Sequence, residues 1–169
     1  MTYFELFDIP VKLKVNTATL SKQFFALSKK HHPDYFANES EAVQAEALEK
    51  SAFLNKAWKT FQNPDATIKY VLMEKELLVE EEKYELPPAF LMEIMEINEA
   101  LMDSSEPAVA TKLKVEIETL QSAIYNAVKE IVENYQEGIT SDKELLQVKE
   151  YYYKKKYLDR INRELSAGK

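Results

Sequence analysis

The sequence predicts an all-α protein: an antiparallel helical hairpin with short flanking helices, followed by a three-helix bundle. Three observations predict it. Glycine occurs only twice, at Gly138 and Gly168. All six prolines (Pro10, Pro33, Pro64, Pro87, Pro88 and Pro107) fall between periodic segments, where a residue with a fixed φ and no N–H separates helices. Within those segments the apolar residues recur at intervals of three and four, the period of one helix face.

Tyr3-Phe4-Glu5-Leu6-Phe7 is aromatic-rich and ends before Pro10, which suits one or two helical turns lying on a core. A connector with Lys12 and Lys14 follows. Asn16 is placed to N-cap a helix to Lys30, whose Leu20, Phe24, Leu27 and His31 are spaced four, three and four. Lys22, Lys29 and Lys30 fall on its solvent side. Pro33 stops this helix, because it pushes the residue before it out of the α region. The next helix is expected from Asn38 to Gln62, with Asn38 and Glu41 as a capping box. Its inward residues are expected to be Leu48, Leu54, Ala57, Trp58 and Phe61. Asn63-Pro64-Asp65 ends it, and Ile68, Val71, Leu72 and Leu78 form a shorter helix.

Glu80, Glu81 and Glu82 then precede Pro87-Pro88, the best domain boundary in the chain. The expected division is 1–78, a linker at 79–87, and 88–169. The second part opens with a helix from Pro88 to Met102. Pro107 suits the first turn of the next. Val109, Leu113, Ile117, Leu120, Ile124, Val128, Ile131 and Tyr135 predict one long amphipathic helix, with Gly138 as its stop. Ser141 and Glu144 form a capping box for the last helix, which carries Leu145, Val148, Tyr152, Leu158, Ile161 and Leu165.

The net charge of −7 argues against general nucleic-acid or membrane-surface binding. The absence of cysteine removes disulfides, thiol chemistry and thiolate metal sites. The N-terminus lacks the basic and apolar regions of a signal peptide, and no stretch nears the roughly 20 apolar residues of a membrane span. A soluble cytoplasmic protein is expected.

Two places exceed the needs of packing. The first is His32-Pro33-Asp34, presented at the tip of the hairpin. From Ile9 to Pro33 there is no carboxylate, although the whole chain is acidic. An acid–base pair of His32 and Asp34 lacks any accompanying nucleophile or oxyanion feature. A metal site is disfavoured because His31 and His32 diverge on a helix. A plain turn is the remaining structural reading. The second place is the helix from Pro88 to Met102. Phe90, Ile94, Ile97 and Leu101 already suffice as a core stripe, leaving Leu91, Met92, Met95 and Met102 among Glu96, Glu99 and Asp103. Methionine is over-used on adaptable binding surfaces. Either this is an exposed protein-binding face rimmed by carboxylates, or the helix is sandwiched between the two lobes.

Tyr3-Phe4-Glu5-Leu6-Phe7, the basic helix ending in His32-Pro33-Asp34, and Leu54-Asn55-Lys56-Ala57-Trp58-Lys59-Thr60-Phe61-Gln62-Asn63-Pro64 together resemble a J-domain, the module of DnaJ-type co-chaperones. Phe90-Leu91-Met92-Glu93 and Tyr157-Leu158-Asp159 resemble the C-terminal domain of the HscB family, co-chaperones of iron–sulfur cluster assembly. The resemblance implies an L-shaped, two-domain, non-enzymatic protein without a cofactor. It implies two partners, a DnaK/HscA-type ATPase stimulated by the J-domain and an IscU-type scaffold held by the bundle. Residue by residue, it assigns His32, Pro33, Asp34, Lys22, Lys29 and Lys30 to the chaperone. It assigns Leu91, Met92, Met95, Glu96, Glu99, Asp103 and Tyr157 to the scaffold. Two positions depart from the pattern: His31 stands where J-domains commonly have an aromatic, and Tyr35 where they commonly have a lysine. A J-domain co-chaperone for another client, and a non-catalytic helical scaffolding protein, are the alternatives.

Overall fold

The computed structural model describes residues 1–103 and 106–167, and among them every regular element is helical. The helices are α1 (Tyr3–Leu6), α2 (Thr17–Lys30), α3 (Glu41–Phe61), α4 (Pro64–Glu74), α5 (Pro88–Asp103), α6 (Pro107–Asn126), α7 (Lys129–Glu133) and α8 (Asp142–Ala167), with a 3₁₀ turn at Pro33–Phe36. They fall into two compact units. One comprises Met1–Val71 with Tyr135–Ile139, the other Leu72–Asn134 with Thr140–Lys169. Among the described residues no helix is long and apolar enough to cross a membrane.

The first unit is a J-domain, built on the hairpin of α2 and α3. Asn16 caps α2 as expected, its Oδ1 accepting from the N–H groups of Ala18 (3.1 Å) and Thr19 (3.4 Å). Phe24 of α2 lies flat on Trp58 of α3, with ring centroids 4.8 Å apart and planes 12° apart. Phe7 and Phe61 meet edge to face at 5.5 Å, and Phe4 lies 5.1 Å from Phe61, so α1 closes one end of the hairpin. Thr2 and Glu5 form a capping box on α1 that the periodicity does not reveal.

Two expectations for α3 are corrected. Its N-cap is Ser40, whose hydroxyl accepts from Val43 N–H at 3.3 Å, and not Asn38. The Gln44 side chain donates to the carbonyls of Ala37 (3.2 Å) and Glu39 (2.8 Å), which keeps the residues before Ser40 in a turn. Leu48 is 61% exposed and Ala47 takes its inward place. The reason is phase: stepping back seven residues, about two turns, from Leu54 reaches Ala47, and Leu48 lies a further ~100° round the helix.

The second unit holds the C-terminal bundle. Phe90, Ile94 and Ile97 of α5, Leu113, Ile117 and Ile124 of α6, and Leu145, Val148, Leu158, Ile161 and Leu165 of α8 are buried. The Ser141–Glu144 box starts α8, each residue's backbone N–H donating to the other's side chain at 3.1 Å. The single long helix expected through Tyr135 is instead two. At the end of α6 the last turn tightens to a bond from Val128 N–H to Tyr125 C=O (2.9 Å), and α7 restarts at Lys129. Spacings of three and four fit both arrangements, because Val128 and Val132 stay buried across the break. Gly138 is not the helix stop either. Asn134 ends α7, and Gly138 sits further on at φ +79°, a left-handed turn conformation that glycine adopts without a Cβ clash.

Candidate functional site

The tip of the hairpin is a stapled turn. His31 N–H closes the last turn of α2 on Leu27 C=O at 3.1 Å. His32 then adopts extended backbone, and Pro33 begins the 3₁₀ turn. The His32 Nδ1 accepts from Asp34 N–H at 3.2 Å, and Asp34 Oδ2 lies 3.5 Å from the same nitrogen. A nitrogen that accepts in this way uses its lone pair to hold the turn. The imidazole and carboxylate both face solvent. Lys22, Lys29 and Lys30 are exposed on α2, and among the described residues none of them has a carboxylate partner.

His31 is half-buried beside the tip. Burial first, then the charges of Lys50 and Lys30, lower its pKa below the ordinary histidine value.

The second set of residues lies on α5. With Phe90, Ile94 and Ile97 turned into the bundle, the opposite side of the helix is uncovered. Met92 is 63%, Met95 59% and Met102 87% exposed. Glu96, Glu99 and Asp103 are exposed between them. A thioether ridge edged by carboxylates is therefore exposed on α5.

Leu91 and Tyr157 are brought together. Both line a groove of about 600 Å³ with Tyr84, Leu86 and Tyr153, and with Lys156 and Arg160 at its rim. The Arg160 guanidinium stands 5.7 Å over the Tyr157 ring. Met92, Met95, Glu99 and Asp103 lie outside this groove. Glu96 lines a second groove of about 780 Å³, formed by α5 and α6 with Glu93, Ile97, Leu113 and Leu120.

One bank of the first groove depends on Glu82, which sequence reasoning placed only in an acidic cluster. Its carboxylate accepts from Lys149 Nζ (3.0 Å), Tyr153 OH (3.0 Å) and Val79 N–H (3.2 Å). Tyr84 stacks on Tyr153 at 4.5 Å with planes 8° apart, and Lys149 Nζ lies 5.7 Å from the Tyr84 ring centre. Burial opposes ionisation of Glu82, but the bonds from Lys149, Val79 and Tyr153 outweigh it and hold its pKa below the usual carboxylate range. Burial and the bond to Glu82 raise the pKa of the Tyr153 phenol. The sequence signal that could have pointed to it is the cluster of tyrosines on α8, Tyr151, Tyr152, Tyr153 and Tyr157. Among the described residues no group of three His, Cys, Asp or Glu side chains is placed to hold a metal ion.

Comparison with known proteins gives consistent results. The family model described as the HSCB C-terminal oligomerisation domain matches residues 86–166. A protein of Photobacterium profundum described as a co-chaperone protein HscB homolog is 34% identical over 128 residues, 75% of this chain and 75% of that protein. The crystal structure of human co-chaperone protein HscB superposes with a TM-score of 0.82 at 26% identity, covering 99% of this chain and 82% of that one. Chaperone HscB from Vibrio cholerae gives a TM-score of 0.65 at 27% identity, covering 98% and 99%.

Proposed function

The chain belongs to the HscB family of co-chaperones, and from that premise we propose that it stimulates the ATPase of a DnaK/HscA-type chaperone and delivers an IscU-type scaffold for iron–sulfur cluster assembly. His32, Pro33 and Asp34, with Lys22, Lys29 and Lys30, dock on the ATP-bound chaperone. Leu91, Met92, Met95, Glu96, Glu99, Asp103 and Tyr157 hold the scaffold. The protein needs no cofactor and catalyses nothing itself. It alters the rate at which its partner hydrolyses ATP, and supplies the client as that partner closes. Residues 1–78 do the first task, 88–169 the second, and 79–87 join them.

The observation that carries this reading is the exposure of Met92 and Met95 on a helix whose core stripe is already complete. Large apolar side chains clustered in water mark a protein-binding face. Their carboxylate edge selects a partner surface with basic groups. The turn at Asp34 supports the other half: its backbone N–H is held by His32 Nδ1 at 3.2 Å, while its carboxylate, 3.5 Å from the same nitrogen, stays exposed to solvent.

Single-turnover hydrolysis by the chaperone tests the first half. Wild-type protein accelerates it, and Asp34→Asn abolishes the acceleration while keeping its helical circular dichroism. Calorimetric titration with the scaffold tests the second. Leu91→Ala, Met92→Ala and Met95→Ala combined weaken binding by about 2 kcal/mol or more if these are anchors, roughly thirtyfold. Undiminished affinity in that variant moves the client face elsewhere. Stimulation by a wild type that does not bind the scaffold favours a different client.

A further inference from the structure

We propose that Phe25 is the apolar anchor by which α2 grips the chaperone. This rests on the reading that the tip and α2 face the chaperone.

Phe24 and Phe25 are neighbours with opposite fates. Phe24 is spent on the core, stacked on Trp58 at 4.8 Å. Phe25 is 65% exposed. Its ring lies 5.7 Å from that of Phe24, a contact that still leaves most of it in water. The hairpin is already closed by Leu20, Phe24 and Leu27, and phenylalanine is a poorer helix former than the alanine, lysine or glutamine that exposed helix positions favour.

Its surroundings name the partner. Phe25 comes three residues after Lys22 and four before Lys29, so the three share one face. Both lysines are exposed and without a carboxylate partner among the described residues. The helix Thr17–Lys30 contains no acidic residue at all. The chain as a whole is at −7, so this stripe is a local reversal of sign. Such a stripe orients an approaching acidic surface. A ring set between two cations, once desolvated, holds what the charges have steered, in the arrangement of an interface hot spot within a polar rim. Tyr35, 71% exposed, gives the neighbouring tip a second uncovered ring.

The test is ATPase stimulation as a function of co-chaperone concentration, at low and high salt, with full-length proteins. Phe25→Ala raises the concentration for half-maximal stimulation about tenfold, as expected for an anchor, and leaves the maximum at saturation and the salt dependence unchanged. Lys22→Ala with Lys29→Ala instead flattens the salt dependence. Phe25→Lys is decisive. An anchor predicts weaker action, whereas a face that works by charge alone predicts stronger action at low salt. Phe25→Ala indistinguishable from wild type, or Phe25→Lys stronger than it, overturns the proposal while the docking reading stands. A wild type that stimulates nothing overturns both. Circular dichroism checks that each variant keeps its fold.

Discussion

The phenol of Tyr153 donates to the carboxylate of Glu82 at 3.0 Å, tying the segment before α5 to the middle of α8. Lys149 shares that carboxylate, at 3.0 Å. Glu82→Ala removes the acceptor and strands a half-buried lysine, so unfolding in urea should show a loss of about 1.5–3 kcal/mol, the range for hydrogen bonds to charged groups. Glu82→Gln keeps an acceptor for the phenol but removes the charge, so Tyr153 should ionise at lower pH in an ultraviolet titration. The folded pKa of Glu82 is depressed. Its contribution is therefore present above the ordinary carboxylate pKa and is lost as pH falls through the folded value. Wild-type stability should fall more steeply on acidification than that of Glu82→Gln.

Tyr125 donates to Glu133 Oε2 at 2.9 Å across the break between α6 and α7. Burial and this bond push its pKa up to about 12. A raised pKa contributes stability that is intact below the ordinary tyrosine value and disappears as pH climbs through the folded one. Alkaline unfolding monitored by circular dichroism should therefore be less pH-dependent in Tyr125→Phe than in wild type.

His31 behaves in the opposite sense to a paired histidine. Its pKa lies below the ordinary 6.5 because burial, Lys50 and Lys30 disfavour the imidazolium. The stability tied to the neutral ring is present above the ordinary value and is lost as pH falls through the folded one. A proton NMR titration should place the His31 midpoint below 6.5, and Lys50→Met should move it upward.

Phe90 and Met92, two residues apart on α5, should separate stability from binding. Phe90 is buried and Met92 is exposed. Phe90→Ala should cost about 3–5 kcal/mol of folding free energy by chemical denaturation. Met92→Ala should stay within about 0.5 kcal/mol, as surface substitutions do. A large loss for Met92→Ala would mean the ridge is part of the core.

Much of this architecture was legible because helix signals are local. The caps at Asn16 and Ser141 and the stripe Phe90, Ile94, Ile97 need only short windows of sequence. The tip was legible for the same reason, since Pro33 dictates its own backbone. The misplaced features share a different character. Asn38 lost the cap to Ser40 through Gln44, a side chain four residues beyond Ser40. Leu48 was judged by hydrophobicity where phase favoured the smaller Ala47. The break at Val128 preserves the spacing that seemed to forbid it. Glu82 was invisible because its partners lie 67 and 71 residues away. The first groove, which joins Leu91 to Tyr157, rests on the same kind of distant pairing, Tyr84 against Tyr153.

The Glu82 fastening bears on how the bundle is studied in isolation. A fragment cut at Pro88 retains every methionine of α5 and all of α8. It discards Glu82, Tyr84 and Leu86, uncovering the face of Tyr153 on which Tyr84 stacks and leaving Lys149 without its counter-ion. Such a piece would keep its helices yet present a shallower, more cationic hollow next to Leu91. Affinities measured on it would then describe a different surface from the one the whole chain offers.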